Sequence, residues 1–240
     1  MHNKVLFKYM DSKKITIAFY ISRPTLSLIL LTLLSFVLLL ASVIKTEHLR
    51  GVYLLWNLFL AWVPLLFILV ARRYQSDSDA PVAIRQAVIY SCLGFWLLFF
   101  PNSPYIITDL IHLTESQHHL LWFDSVSFFV VALAGLATGL YSLFVAHEII
   151  EKLTGKIIAW VIVFSSVVLS GFGLYLGRYI RFNSWDLFTN PVFLFRKSIH
   201  ELQNPLAIQT TMVFSLVVMV LYVSLNLLIP TSYERTKNAA

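Results

Sequence analysis

The chain has 240 residues, 58% of them hydrophobic and only 12% charged, with a mean hydropathy of +0.77. Soluble domains carry about 25% charged residues, so this composition excludes a soluble globule and points to a membrane protein. The net charge of +6 would suggest nucleic acid only if the basic residues formed a patch; they fall between apolar runs, as membrane topology requires, and the single cysteine, Cys92, excludes an internal disulfide.

Residues 1–24 form a basic leader with Lys4, Lys8, Lys13, Lys14 and Arg23. It resembles the start of a signal peptide, but the following run, residues 25–44, is 20 residues without a charge. That exceeds the ~7–15 residues of a cleavable apolar core and matches the about 20 that cross a bilayer, so it reads as a retained span. Residues 51–71 form a second span, interrupted by Asn57 and Pro64, which membrane helices tolerate. Asn57 reads as a helix–helix hydrogen-bonding residue, like Gln209 and Asn226 in the last span. Residues 82–100 span if Arg85 snorkels to the interface.

The third run ends in "PNSPYIITDLIHL". Pro101 removes a backbone donor and stops the helix, and Ser103 before Pro104 reads as the N-cap of a new short helix. At α-helical spacing Tyr105, Asp109, His112 and Ser116 share one stripe, giving a Tyr–Asp–His polar edge on an amphipathic segment. His118, His119 and the "WFD" of Trp122–Asp124 follow. The fourth and fifth spans, 125–146 and 157–177, carry the small-residue pairs Gly135/Gly139 and Gly173/Gly177, so the two helices are expected to pack on each other there.

The fifth span leads into "GRYIRFNSWD". A helix continuing through it would set Arg178, Arg181 and Trp185 on one face. Asn190 then caps an interfacial helix over 191–203, with Pro191 at its first position and Arg196 and Lys197 toward headgroups. Residues 206–229 make the sixth span and 230–240 a tail, so the organisation is leader, six-span membrane domain over 25–229, and tail. Lys and Arg number twelve in the segments on the N-terminal side and six opposite, which places both termini in the cytoplasm. The fold class is therefore all-α, with six transmembrane helices, N-in/C-in, and short amphipathic helices in the outer loops.

Together "PNSPYIITDLIHL", "WFD" and "GRYIRFNSWD" resemble a bacterial integral-membrane family, the domain of unknown function 1361, over roughly residues 25–229. The matching positions are Pro101, Asn102, Pro104, Tyr105, Thr108, Asp109, His112, Asp124, Gly177, Arg178, Arg181, Asn183, Ser184, Trp185 and Asp186. The resemblance implies a multi-pass protein of the bacterial plasma membrane and carries no activity with it.

Two readings of the outer charges stand side by side. Asp109, Asp124, Arg178 and Arg181 form either an ion-pair network joining the two loops or an anion site, the arginines forking a lipid headgroup or lipid-linked envelope intermediate. Ligand contacts are then expected from Asn102, Tyr105, Asp124, Arg178, Arg181, Asn183, Trp185 and Asp186. Asp109 and His112 are the candidate catalytic pair, since histidine exchanges a proton near neutral pH and aspartate can orient it. The same two with His118 and His119 offer a mixed divalent-metal set, although no metal signature such as HExxH supports it. No Ser lies in a G-x-S-x-G elbow; Ser103 and Ser184 read as caps. No Asp or Glu lies mid-span, against an ion-coupled transporter, which leaves an uncoupled permease or a non-enzymatic assembly or signalling partner as alternatives.

Overall fold

The structure, a computed structural model, describes residues 22–46, 51–77, 79–115 and 121–228. The leader up to residue 21, Ser116, His118, His119 and the tail from residue 229 lie outside the described residues. Among the described residues there is no strand, and six helical segments are long and apolar enough to cross a membrane. The helices are α1 (Arg23–Thr46), α2 (Val52–Gln75), α3 (Val82–Phe99), α4 (Asn102–Tyr105), α5 (Leu121–Thr154), α6 (Lys156–Tyr175), α7 (Asp186–Thr189), α8 (Pro191–Glu201) and α9 (Pro205–Leu228). A 3₁₀ segment, Ile106–Glu115, follows α4, and a π-helical turn, Leu176–Ile180, follows α6.

α5 is the central post, with 61% of its most apolar stretch buried against 11% for α9. Its inward face carries small residues, among them Ala132, Gly135, Thr138, Gly139, Ser142 and Ala146. Apolar side chains gain little by leaving lipid, so close backbone approach and hydrogen bonds hold such helices together. Two core clusters result. The larger joins α2, α3, α5, α6 and α9 around Leu65, Trp96, Leu143, Ile149, Val163 and Tyr222. The smaller lies toward the motif-bearing end and brings Leu39 of α1, Leu58 and Ala61 of α2, and Val131 of α5 onto Ile106. Leu30, Phe36, Phe129, Phe164 and Leu216 stand exposed around the outside, an apolar belt suited to lipid.

Polar pins mark the two ends. At one, Arg72 pairs with Glu148 (3.3 Å), and the Gln75 amide donates to the Ile149 carbonyl (3.2 Å). At the other, Ser42 donates to Asp124 (3.0 Å), and the Lys45 ammonium lies 4.3 Å from the Phe123 ring centre. That second end also holds α8, an amphipathic helix whose Val192, Phe195 and Ile199 are exposed, as is Leu202 just after it. Asn190 precedes it and Pro191 opens it, as the sequence predicts, but the Asn190 side chain makes no capping bond.

Candidate functional site

Pro101 does end the regular helix α3, yet the chain does not leave the bundle there. Phe100 and Pro101 keep right-handed helical dihedrals, so the path bends and runs on into α4. A bend inside the bundle frees carbonyls that must find donors, because lipid offers none. Asn102 Nδ2 donates to the Phe99 carbonyl (3.0 Å), and Ser184 Oγ donates to that of Leu98 (3.2 Å). Asn102 Nδ2 also donates to Ser184 Oγ at 3.1 Å, tying the two motifs together. Ser103 is not a cap: α4 begins at Asn102, and the Ser103 hydroxyl donates to the Ala61 carbonyl of α2 at 3.1 Å. Nor does Ser184 cap α7, which begins at Asp186 with no side-chain cap.

The glycine pairs do something other than join α5 to α6. A Cβ on Gly135 would lie 2.5 Å from Ile106 Cδ1, and one on Gly139 2.5 Å from Ser103 Cβ. From the other side, a Cβ on Gly173 would meet Pro101 Cγ at 2.8 Å, and one on Gly177 the Tyr105 ring at 3.5 Å. Both pairs therefore grip the Pro101–Ile106 bend, one from each side. α5 and α6 do pack on each other, through residues such as Leu143, Ile149 and Val163, but the glycine pairs serve a clamp on the bent chain, which needs the space that the missing side chains leave.

The 3₁₀ geometry past Tyr105 changes the polar stripe. With three residues per turn, Ile106, Asp109 and His112 fall in one row and Tyr105 falls off it. Asp109 accordingly turns inward with Ile106, the two being 2% and 1% exposed. Its Oδ2 accepts from Asn57 Nδ2 (2.7 Å), and its Oδ1 lies 3.3 Å from Arg178 Nη1. Asn57 thus makes the helix–helix bond expected of it, to the 3₁₀ continuation of the third span, Val82–Ile111. The π turn carries Arg178 to this carboxylate, and the chain then breaks at Arg181, whose φ of 65° is left-handed. The expected common face of Arg178, Arg181 and Trp185 does not form. Arg181 is exposed; its backbone N–H donates to the Leu176 carbonyl, and its side chain makes no hydrogen bond or ion pair among the described residues.

A cavity of about 230 Å³ opens between these elements. α2 contributes Trp56, Asn57 and Leu60; the bend contributes Asn102 and Tyr105. Gly177 and the Phe182–Asn183–Ser184 loop close the far wall. Of the expected ligand contacts, Asn102, Tyr105 and Asn183 line this cavity, and Arg178 stands behind it on Asp109. Asp124 is elsewhere, on Ser42 of α1, so the four outer charges do not make one network. Asp186 organises the loop: its Oδ2 accepts from the Asn183 backbone (2.7 Å), and Trp185 beside it is 39% exposed. The 3₁₀ segment carries His112, whose side chain, with His118 and His119, lies outside the described residues. Among the described residues no three His, Cys, Asp or Glu gather into a metal set.

Sequence reasoning missed a second polar cluster at this end. Glu201, 4% exposed, takes Lys197 Nζ at 2.7 Å, the Tyr175 hydroxyl at 2.6 Å and Asn204 Nδ2 at 2.8 Å. These partners, Lys197 foremost, hold its carboxyl well down, to about 2. Lys197 therefore turns to Glu201 and not to headgroups, while Arg196 stays exposed. A Lys four residues before a Glu was the available signal.

Fold and cavity together define a polytopic α-helical membrane protein with a small cavity at one end of its bundle, its lining mostly apolar with a few polar groups. The family model described as "Protein of unknown function (DUF1361)" matches residues 56–223, and the chain belongs to that family. Neither curated proteins nor solved structures return a match.

Proposed function

We propose that this protein is a bacterial plasma-membrane binding protein whose cavity receives the polar head of an amphiphile, an anionic lipid or lipid-linked envelope intermediate, at the outer leaflet. The observation that carries this reading is the convergence of both motifs on one cavity: Asn102 and Tyr105 from the first, Gly177, Asn183 and Ser184 from the second. A purely structural lock would close on itself. Here the contacts leave a space of about 230 Å³. Arg178 is neutralised by Asp109, so the free charge for a phosphate is Arg181, one residue before the cavity-lining Phe182. The excess of Lys and Arg on the N-terminal side supports an outward-facing position for this end.

The structural reading also has an observation in its favour: Asp109–Arg178 and Asn102–Ser184 each join the two motifs directly. Mass spectrometry of lipid retained by the purified protein separates the two. The wild type retains a specific lipid, Leu60→Phe fills the cavity and expels it, and Arg181→Gly, which suits the left-handed backbone, loses the anionic species selectively. Bulk lipid in equal amounts on all three would leave the motifs as a lock alone.

A further inference from the structure

The hydrogen-bonding state of the cavity wall specifies its ligand more narrowly. This step rests on the binding reading above. Among the described residues, no side chain lining the cavity carries a formal charge. Of the two arginines next to lining residues, Arg178 is already paired with Asp109 at 3.3 Å and Arg181 is not part of the lining, so a phosphate inside would lose water without meeting a free counter-charge there. An ammonium group would find no free carboxylate either, because Asp109 is engaged by Arg178 and Asn57.

What the wall does offer is neutral hydrogen bonding. Asn102 spends its Nδ2 group on Phe99 and Ser184, which leaves its Oδ1 as an acceptor. Asn57 spends Nδ2 on Asp109, and a carboxylate partner requires that end of the amide to be the nitrogen, so its Oδ1 is likewise left over. The Tyr105 hydroxyl and the Asn183 side-chain amide have no partner among the described residues. Trp56 and Phe182 add ring faces to the lining. The volume, about 230 Å³, falls below the ~300–1,000 Å³ of sites for drug-sized ligands, so a single small ring with its substituents is the right size.

We infer that the cavity takes one uncharged polyhydroxyl ring, a sugar or cyclic polyol, whose hydroxyls donate to Asn57 and Asn102 and whose apolar face lies on Trp56 or Phe182. A donor-rich, acceptor-rich and uncharged ligand satisfies each leftover group. A site built to bond hydroxyls discriminates strongly against ligands without them, because its polar groups would then be left buried and unpaired. Arg181, outside the cavity, leaves room for an anionic linker to the same ring.

The test uses the full chain in phosphatidylcholine nanodiscs, with three probes followed by calorimetric titration: octyl β-glucoside below its micellar concentration, free glucose, and decyl phosphate. Octyl glucoside is expected to bind saturably. Tyr105→Phe, which removes one hydroxyl and keeps the ring against Gly177, weakens it by about five- to tenfold. Leu60→Phe abolishes it. Binding of free glucose as well would assign the cavity to a soluble sugar; binding of the glucoside alone would assign it to a sugar carried on a lipid. Saturable binding of decyl phosphate without the glucoside, or glucoside binding indifferent to both variants, overturns the inference. A retained lipid that Leu60→Phe expels, with no glucoside binding, would defeat this ligand class while leaving the binding reading intact.

Discussion

Gly139 of α5 receives Ser103 so closely that a Cβ on the glycine would sit 2.5 Å from the serine Cβ. The contact lets Ser103 reach past α5 to the Ala61 carbonyl of α2, so three chain segments meet at one serine. No flexible side-chain end is available to yield. Ser103 is fully buried, and its hydroxyl is already engaged.

Gly139→Ala is therefore expected to destabilise the protein by about 1–3 kcal/mol, the usual cost of overpacking a tight core. SDS-titration unfolding in mixed micelles reads the effect. Gly94 has nothing within 4 Å of its Cβ position, so Gly94→Ala serves as the neutral control. Equal midpoints for the two variants would remove the clamp from the account.

The Asp109–Arg178 pair predicts strong coupling. Asp109 is buried and the Arg178 side chain is 20% exposed, so removing either partner leaves a desolvated charge. Arg178→Ala and Asp109→Ala should each cost about 3–5 kcal/mol, and the double variant clearly less than the sum. Additive losses in the same titration would show that the two groups act separately.

Glu201 predicts an acid dependence. Its carboxyl is held at about 2, below the usual 4.5, by Lys197, Tyr175 and Asn204. A lowered carboxyl value stabilises the folded state above the unfolded value, and that contribution fades as pH falls from about 4.5 toward 2. His200, whose Nδ1 lies 4.0 Å from Glu201, is 82% exposed at its side chain, so solvent screens it. Unfolding midpoints from pH 6 to pH 2 should fall more steeply for the wild type than for Glu201→Gln. Parallel curves would mean that the cluster does not feel the proton.

The sequence by itself determined the membrane class, the six spans and the end of the bundle at which the polar motifs gather. Those follow from the lengths of apolar runs and from where Pro, Asn and Asp interrupt them, both local properties of the chain. The orientation we propose rests on the distribution of Lys and Arg alone. The tertiary structure decided the rest. Period-3.6 reasoning put Tyr105 and Asp109 on one outward edge, but a 3₁₀ segment turned Asp109 inward because Asn57 and Arg178 could satisfy it there. Helical extrapolation aligned Arg178 with Arg181, but a π turn and a left-handed residue parted them. Small-residue pairs announced close approach without naming the partner, which proved to be the Pro101–Ile106 bend. Spacing along a chain fixes which residues are neighbours on an ideal helix. Only packing decides whether the helix stays ideal, since buried backbone and charge bend it to wherever their partners lie.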